Sequence, residues 1–203
     1  MSQSFDSVGA RSGGVSAAAI ESSSATMTAL RGAGIVLAGS ALVAVAAHVS
    51  IPLWFTPVPI TLQPFAVLLL GLLLGPRLAF ATMVAYLAEG AAGLPVFTPS
   101  LLSGVAHILG PTGGYLLSYP VVAPLISAIW RRGACTFSRG VIVAGAGSLV
   151  TLTMGAAWLG VATHLAPMAV LQAAVLPFLP GDVLKVVAAA GIAAGAARWR
   201  RVG

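Results

Sequence analysis

Apolar positions in this chain do not alternate with polar ones; they come in unbroken runs. Six runs follow a Ser-, Ala- and Gly-rich start, at residues 33–50, 62–75, 78–92, 113–130, 141–163 and 181–197. A strand of a membrane barrel alternates apolar and polar residues over about ten positions, and these runs do not. Unbroken runs predict helices that are apolar all round. A helix perpendicular to a bilayer needs about 20 residues to cross it. The second and third runs are shorter, and only Gly75-Pro76-Arg77 separates them, which predicts a tight turn.

Two stretches fit neither a helix nor an aqueous loop. They are IPLWFTPVPITLQ (51–63) and GLPVFTPSLLSGVAHILGPTGGYL (93–116), both apolar, proline-rich and uncharged. Pro52, Pro57 and Pro59 forbid a regular helix through the first. Irregular apolar backbone is stable in a membrane only where protein covers it or where it lines a cavity. Both are therefore expected to fold back over the helices as covers. A third stretch, LAPMAVLQAAVLPFLPGD (165–182), is expected to include a short surface helix.

Composition turns this pattern into a class. Of 203 residues, 59% are hydrophobic and 7% charged, against about 25% charged in an ordinary soluble domain. Mean hydropathy is +1.03. The expected fold is an all-α integral membrane protein, a six-transmembrane-helix bundle with apolar extracytoplasmic lid loops. Helices suit lipid because they satisfy their own backbone groups. Residues 1–30 carry no apolar run and read as a disordered cytoplasmic tail, leaving 31–203 as a six-helix membrane domain. The alternative for the N-terminus is a signal peptide with Ala33–Ala47 as its apolar core. The length of the preceding segment, with Asp6 and Glu21 in it, speaks against that.

The net charge of +6 does not point to nucleic acid, because the basic residues form no cluster interleaved with aromatics. Placed on six spans, they sort by side. Arg11 and Arg31 precede the first run, Arg77 lies between the second and third, Arg131, Arg132 and Arg139 between the fourth and fifth, and Arg198, Arg200 and Arg201 after the sixth. All nine fall on one side, which the positive-inside rule makes cytoplasmic, with both termini inside. Cys135, the single cysteine, sits among these arginines and reads as a reduced spectator thiol.

The tenth basic residue, Lys185, falls near the outer end of the sixth run. Asp182 opens that run and Glu89 lies near the outer end of the third. Asp182 and Lys185 are three residues apart and share a helix face. A structural reading makes Asp182 an N-cap and Lys185 a side chain snorkelling to the interface. A functional reading makes them the polar centre of a ligand site beneath an apolar cover. A lysine supplies donors and positive charge for a carboxylate, and an aspartate supplies acceptors for N–H groups. Gln63 offers both kinds of group, and Trp54, Phe55, Phe97 and Tyr115 are candidates to enclose an apolar or ring portion. A mostly apolar cavity with few placed polar groups is what a small ligand needs. For each aromatic taken singly, plain packing competes with ligand contact.

Other chemistry has little support. GPTGG (110–114) lacks the lysine and hydroxyl residue of a phosphate loop. His48, His107 and His164 are unclustered, so neither a metal nor a cofactor is expected; His107 in a loop is a packing histidine or a ligand contact. Gly34 with Ala38, and Ser40 with Ala44, are small-residue pairs suited to close helix packing, internal or against a partner.

At these residues the chain resembles the BioY family, the biotin-binding substrate (S) components of energy-coupling-factor (ECF) transporters. The resemblance rests on IPLWFTPVPITLQ (51–63), GLLLGPRLA (71–79), GLPVF (93–97), GPTGGYL (110–116) and PFLPGDVLK (177–185), in the family's order. It covers about residues 33–197 and leaves the N-terminal segment outside. The resemblance implies a six-helix protein of the cell membrane that captures biotin from outside. It also implies a partner module of one transmembrane coupling subunit and two cytoplasmic ATPases, with some members taking up biotin with little or no module. Biotin has a ureido ring with two N–H donors and a valerate carboxylate. The resemblance implies that Asp182 suits the former and Lys185 the latter, or that both act on one end. Glu89 departs from the apolar residue expected there in many members. Two other classes stay in view: a membrane enzyme acting on lipid, with Glu89 or Asp182 as acid or base, and a structural membrane protein.

Overall fold

The computed structural model describes residues 13–202, with side chains described for residues 24–201. Eight helices and one two-stranded ladder follow in order: α1 (Gly13–His48), β1 (Ser50–Ile51), β2 (Ile60–Thr61), α2 (Gln63–Leu73), α3 (Pro76–Ala91), α4 (Val105–Leu109), α5 (Gly113–Arg131), α6 (Phe137–Thr163), α7 (Pro167–Ala174) and α8 (Leu179–Val202). The chain divides into two units, with the boundary between Ile35 and Val36. In the first, the Thr28 hydroxyl donates back to the carbonyl of Ser24 at 2.9 Å, within α1. The second holds the remainder of α1 and every later element.

The expected runs overlap α1, α2, α3, α5, α6 and α8, although α1 starts at Gly13, well before the first run. Among the described residues, four helical segments are long and apolar enough to cross a membrane: Ser24–His48, Gly113–Arg131, Phe137–Thr163 and Leu179–Arg201. Helix α2 has 11 residues and α3 has 16. At about 1.5 Å rise per residue, α2 falls well short of a bilayer's apolar thickness. The turn between them is as expected: Gly75 is extended and Pro76 opens α3, where its missing N–H costs nothing. Residues 1–12 of the expected tail lie outside the described residues, and α1 begins at Gly13.

Short α2 is the central helix. It packs against α3, α5, α6 and α8, and Gln63 and Ala66–Leu72 are all buried. Lipid tails are as apolar as leucine, so close contact rather than water exclusion must hold such helices together. Gly71 of α2 shows how: a Cβ there would sit 3.0 Å from the Ala123 carbonyl and 3.1 Å from Ile126 of α5. Helix α5 carries Pro120 and Pro124 in its interior, which deprives the carbonyls of Leu116 and Pro120 of their helical donors.

Two local expectations are corrected. The stretch 51–63 is not wholly irregular, because Ser50 pairs with Thr61 and Ile51 with Ile60 in an antiparallel ladder. The three prolines sit in or beside the loop that the ladder closes, where no strand donor is needed. Asp182 is not an N-cap. It lies inside the first turn of α8, and its own N–H already donates to the Phe178 carbonyl at 2.8 Å. The expected surface helix in 165–182 is α7, begun by Pro167.

Candidate ligand site at the head of helix α8

Three helix faces converge on one cavity. Tyr115, Ser118 and Tyr119 stand at i, i+3 and i+4 on α5. Ser148, Thr151 and Leu152 repeat that spacing on α6, and Asp182 and Lys185 share a face of α8. Gln63, the first residue of α2, closes the ring with Pro59 and Thr61 beside it. About 530 Å³ of non-atom space, open solvent at the mouth included, lies between these walls.

Lys185 Nζ donates to Asp182 Oδ1 at 2.9 Å, and the Ser148 hydroxyl donates to Oδ2 at 3.0 Å. Asp182 is 7% exposed and Lys185 9%. The ammonium therefore does not snorkel to an interface. A carboxylate has about four lone-pair positions and an ammonium three donors, so each keeps free capacity toward the cavity. Burying such a pair is expensive: the desolvation of two ions rivals their attraction. Two apolar residues would hold α8 in place at lower cost, so stability alone does not account for the pair.

The surrounding polar groups are partly committed. Gln63 Nε2 donates to the Tyr86 hydroxyl at 2.8 Å, which donates on to the Val96 carbonyl at 3.0 Å. Gln63 Oε1 and the Tyr119 hydroxyl, both on cavity-lining residues, have no hydrogen-bond partner among the described residues. Tyr115 donates to the Ala174 carbonyl of α7 at 2.7 Å and packs its ring 6.3 Å from that of Phe178. The Ser118 hydroxyl bonds Thr151 at 3.2 Å. No cluster of three or more metal-ligating side chains occurs among the described residues.

A second, wider space of about 810 Å³, again counted to its mouth, adjoins the first. Pro59, Thr98, His107 and Thr112 line both. Its walls are the loop closed by β1–β2 and the segment from Thr98 to Leu102. The first loop is tied down by Thr56, whose hydroxyl donates to the Ala173 carbonyl at 2.9 Å. His107 Nδ1 lies 3.2 Å from the Leu102 carbonyl. The Ser100 hydroxyl also lies 3.1 Å from Nδ1, which leaves Nε2 as the second ring site.

Of the eight residues singled out from the sequence, Gln63, Tyr115, Asp182 and Lys185 line one cavity. The other four lie elsewhere. Phe97 packs behind the wall, 5.4 Å from Tyr86 and 4.9 Å from His107 between ring centres. Trp54 is 95% exposed and stacks edge-on against half-exposed Phe55 at the outer loop. Glu89 accepts from the Ser40 hydroxyl at 2.9 Å, joining α3 to α1 away from the cavity. Tyr119, Ser148 and Thr151 were not anticipated. Their signal was the i+3 and i+4 spacing of polar side chains within otherwise apolar runs.

The chain is similar to known proteins. The model of the BioY family matches residues 20–202. A relative from Pyrococcus horikoshii, named a probable biotin transporter BioY, is 39% identical over 153 residues, covering 75% of this chain and 88% of its own. Another from Lactococcus lactis subsp. cremoris, named biotin transporter BioY2, is 34% identical over 151 residues, covering 73% and 80%. Among solved structures, the S-component for biotin from an ECF-type ABC transporter superposes with a TM-score of 0.76 at 28% identity, over 87% of this chain and 94% of that one.

Proposed function

The chain belongs to the BioY family, and from that premise we propose that it captures biotin at the membrane as the substrate-specific subunit of an ECF-type transporter. The observation that carries the reading is the buried Asp182–Lys185 pair at the end of a small cavity. The relatives are transporters, which leaves the lipid-enzyme and structural readings without support. The partners that follow are a transmembrane coupling subunit and two cytoplasmic ATPases. Uptake of labelled biotin by cells expressing the chain with and without that module tests the reading. Uptake that rises with the module is expected; no uptake in either case contradicts it.

The pair acts on one end of the ligand, because its charges meet at 2.9 Å. A ureido group presents a carbonyl beside N–H donors, which matches an ammonium beside a carboxylate. The valerate carboxylate, placed there, would be repelled by Asp182. It extends instead toward the wider outer space, past Thr98, His107 and Thr112, where it keeps much of its hydration. Gln63 and Tyr119 supply the remaining polar contacts, and Tyr115 and Phe178 the apolar wall.

The two proline-rich segments act as lids over this outer space. With biotin bound, hydrogen exchange should slow in both 51–63 and 93–112. Unchanged exchange in both would remove the lids from the account.

The arginines set the orientation in the cell membrane, with six spans, α2 and α3 being the short ones, and both termini cytoplasmic. Reporter fusions after residue 203 and within 131–140 should both report cytoplasm. A C-terminus outside would overturn the span count.

A further inference from the structure

At the end of the bundle away from the Asp182 site, the last turns of α2, α5 and α8 leave a cleft of about 660 Å³ of empty space, counted to its mouth. Arg131, Arg200 and Arg201 line it, over a floor that includes Leu72, Leu73, Trp130, Ala193 and Ala196. We infer that this cleft seats one anionic phospholipid, its phosphate among the three guanidinium groups and the start of an acyl chain along the apolar floor.

Three observations lead there. The first is charge without a counter-charge. Among the described residues no carboxylate pairs with these arginines: Asp182 holds Lys185, and Glu89 holds Ser40. The second is the helix ends themselves. Three C-termini meet here, and Arg131 Nε does reach the Leu74 carbonyl at 3.4 Å. Each helix end carries only about half a negative charge, so three arginines exceed what three helix ends require. The third is the floor. A soluble anion has no use for the only half-buried Leu73, Ala196 and Ala197 beside its phosphate site, whereas a lipid brings both a phosphate and a chain. Basic pockets between membrane helices suit such headgroups, and the planar guanidinium fork matches phosphate oxygens.

Native mass spectrometry of the delipidated full chain, titrated with phosphatidylglycerol or phosphatidylcholine, tests this. One phosphatidylglycerol per chain should be retained in preference to phosphatidylcholine. Arg131→Gln, Arg200→Gln and Arg201→Gln should each lower that preference about fivefold. Arg77→Gln, outside the cleft, should not, and all four variants should remain monodisperse. Millimolar inorganic phosphate should leave the bound lipid in place. Equal retention of the two lipids, an equal effect of Arg77→Gln, displacement of the lipid by phosphate, or a second protein chain in place of the lipid would each overturn the inference.

Discussion

Asp182→Asn and Lys185→Met are each expected to weaken biotin binding by at least thirty-fold. The two residues meet in a site where both are more than nine-tenths buried, and removing one partner of a desolvated charged contact costs about 2–5 kcal/mol, of which 2 kcal/mol already corresponds to about thirty-fold. Stability should respond differently from binding. Lys185→Met leaves a buried carboxylate with only Ser148 to hold it, which costs about 3–5 kcal/mol of folding free energy. The double variant Asp182→Asn/Lys185→Met removes both charges and should recover most of that stability while binding stays lost. Equilibrium binding alongside thermal unfolding separates the two effects. If the single variants lost only stability and bound biotin normally, the pair would be structural.

Gly155→Ala is expected to damage the same site from behind. Gly155 lies in α6 where a Cβ would overlap the Tyr115 ring. Tyr115 cannot simply step aside, because its hydroxyl holds the Ala174 carbonyl of α7 and its ring faces Phe178. The added methyl therefore either strains the α5–α6 contact or drives the ring into the cavity. Overpacking of this kind costs about 1–3 kcal/mol, and biotin affinity should fall with it. Gly145→Ala on the same helix is the control. A Cβ there meets nothing closer than Val186 at 3.9 Å, so helix propensity should make it neutral or mildly stabilising. Tyr115→Leu added to Gly155→Ala should restore stability but not binding. Equal behaviour of Gly155→Ala and Gly145→Ala would show that the Tyr115 contact is not tight.

Much of the architecture was legible because lipid simplifies the code. An unbroken apolar run bounded by Pro, Gly or Arg has little choice but to be a helix, and Pro76, Pro167 and Gly75 mark ends where the structure has them. The ladder between β1 and β2 was not legible, since two residues per strand leave no period to read. The start of α1 at Gly13 was hidden by a composition of Ser, Ala and Gly that is equally typical of unstructured chain.

The site divides along similar lines. A lone acid and base at i, i+3 in an apolar run stand out whatever surrounds them, and Asp182 and Lys185 were found that way. Tyr119, Ser148 and Thr151 are ordinary residues whose meaning depends on which faces of α5 and α6 turn toward α8. Trp54 and Phe55 were singled out by type, but type does not report direction, and they stand at the outer loop rather than the cavity wall. Glu89 was expected near the outer end of the third run, beside Asp182 and Lys185. Its partner is instead Ser40, across a helix contact that residue spacing cannot reveal.

The central claim is that one end of biotin, the ureido ring, sits on the Asp182–Lys185 pair. Competition against labelled biotin on the purified protein tests it most directly, with biotin amide and a ureido-modified analogue as competitors. The amide is expected to compete nearly as well as biotin, while the ureido-modified analogue loses at least thirty-fold. An analogue altered at the ureido ring that competes as well as biotin, with the amide failing to compete, would contradict it.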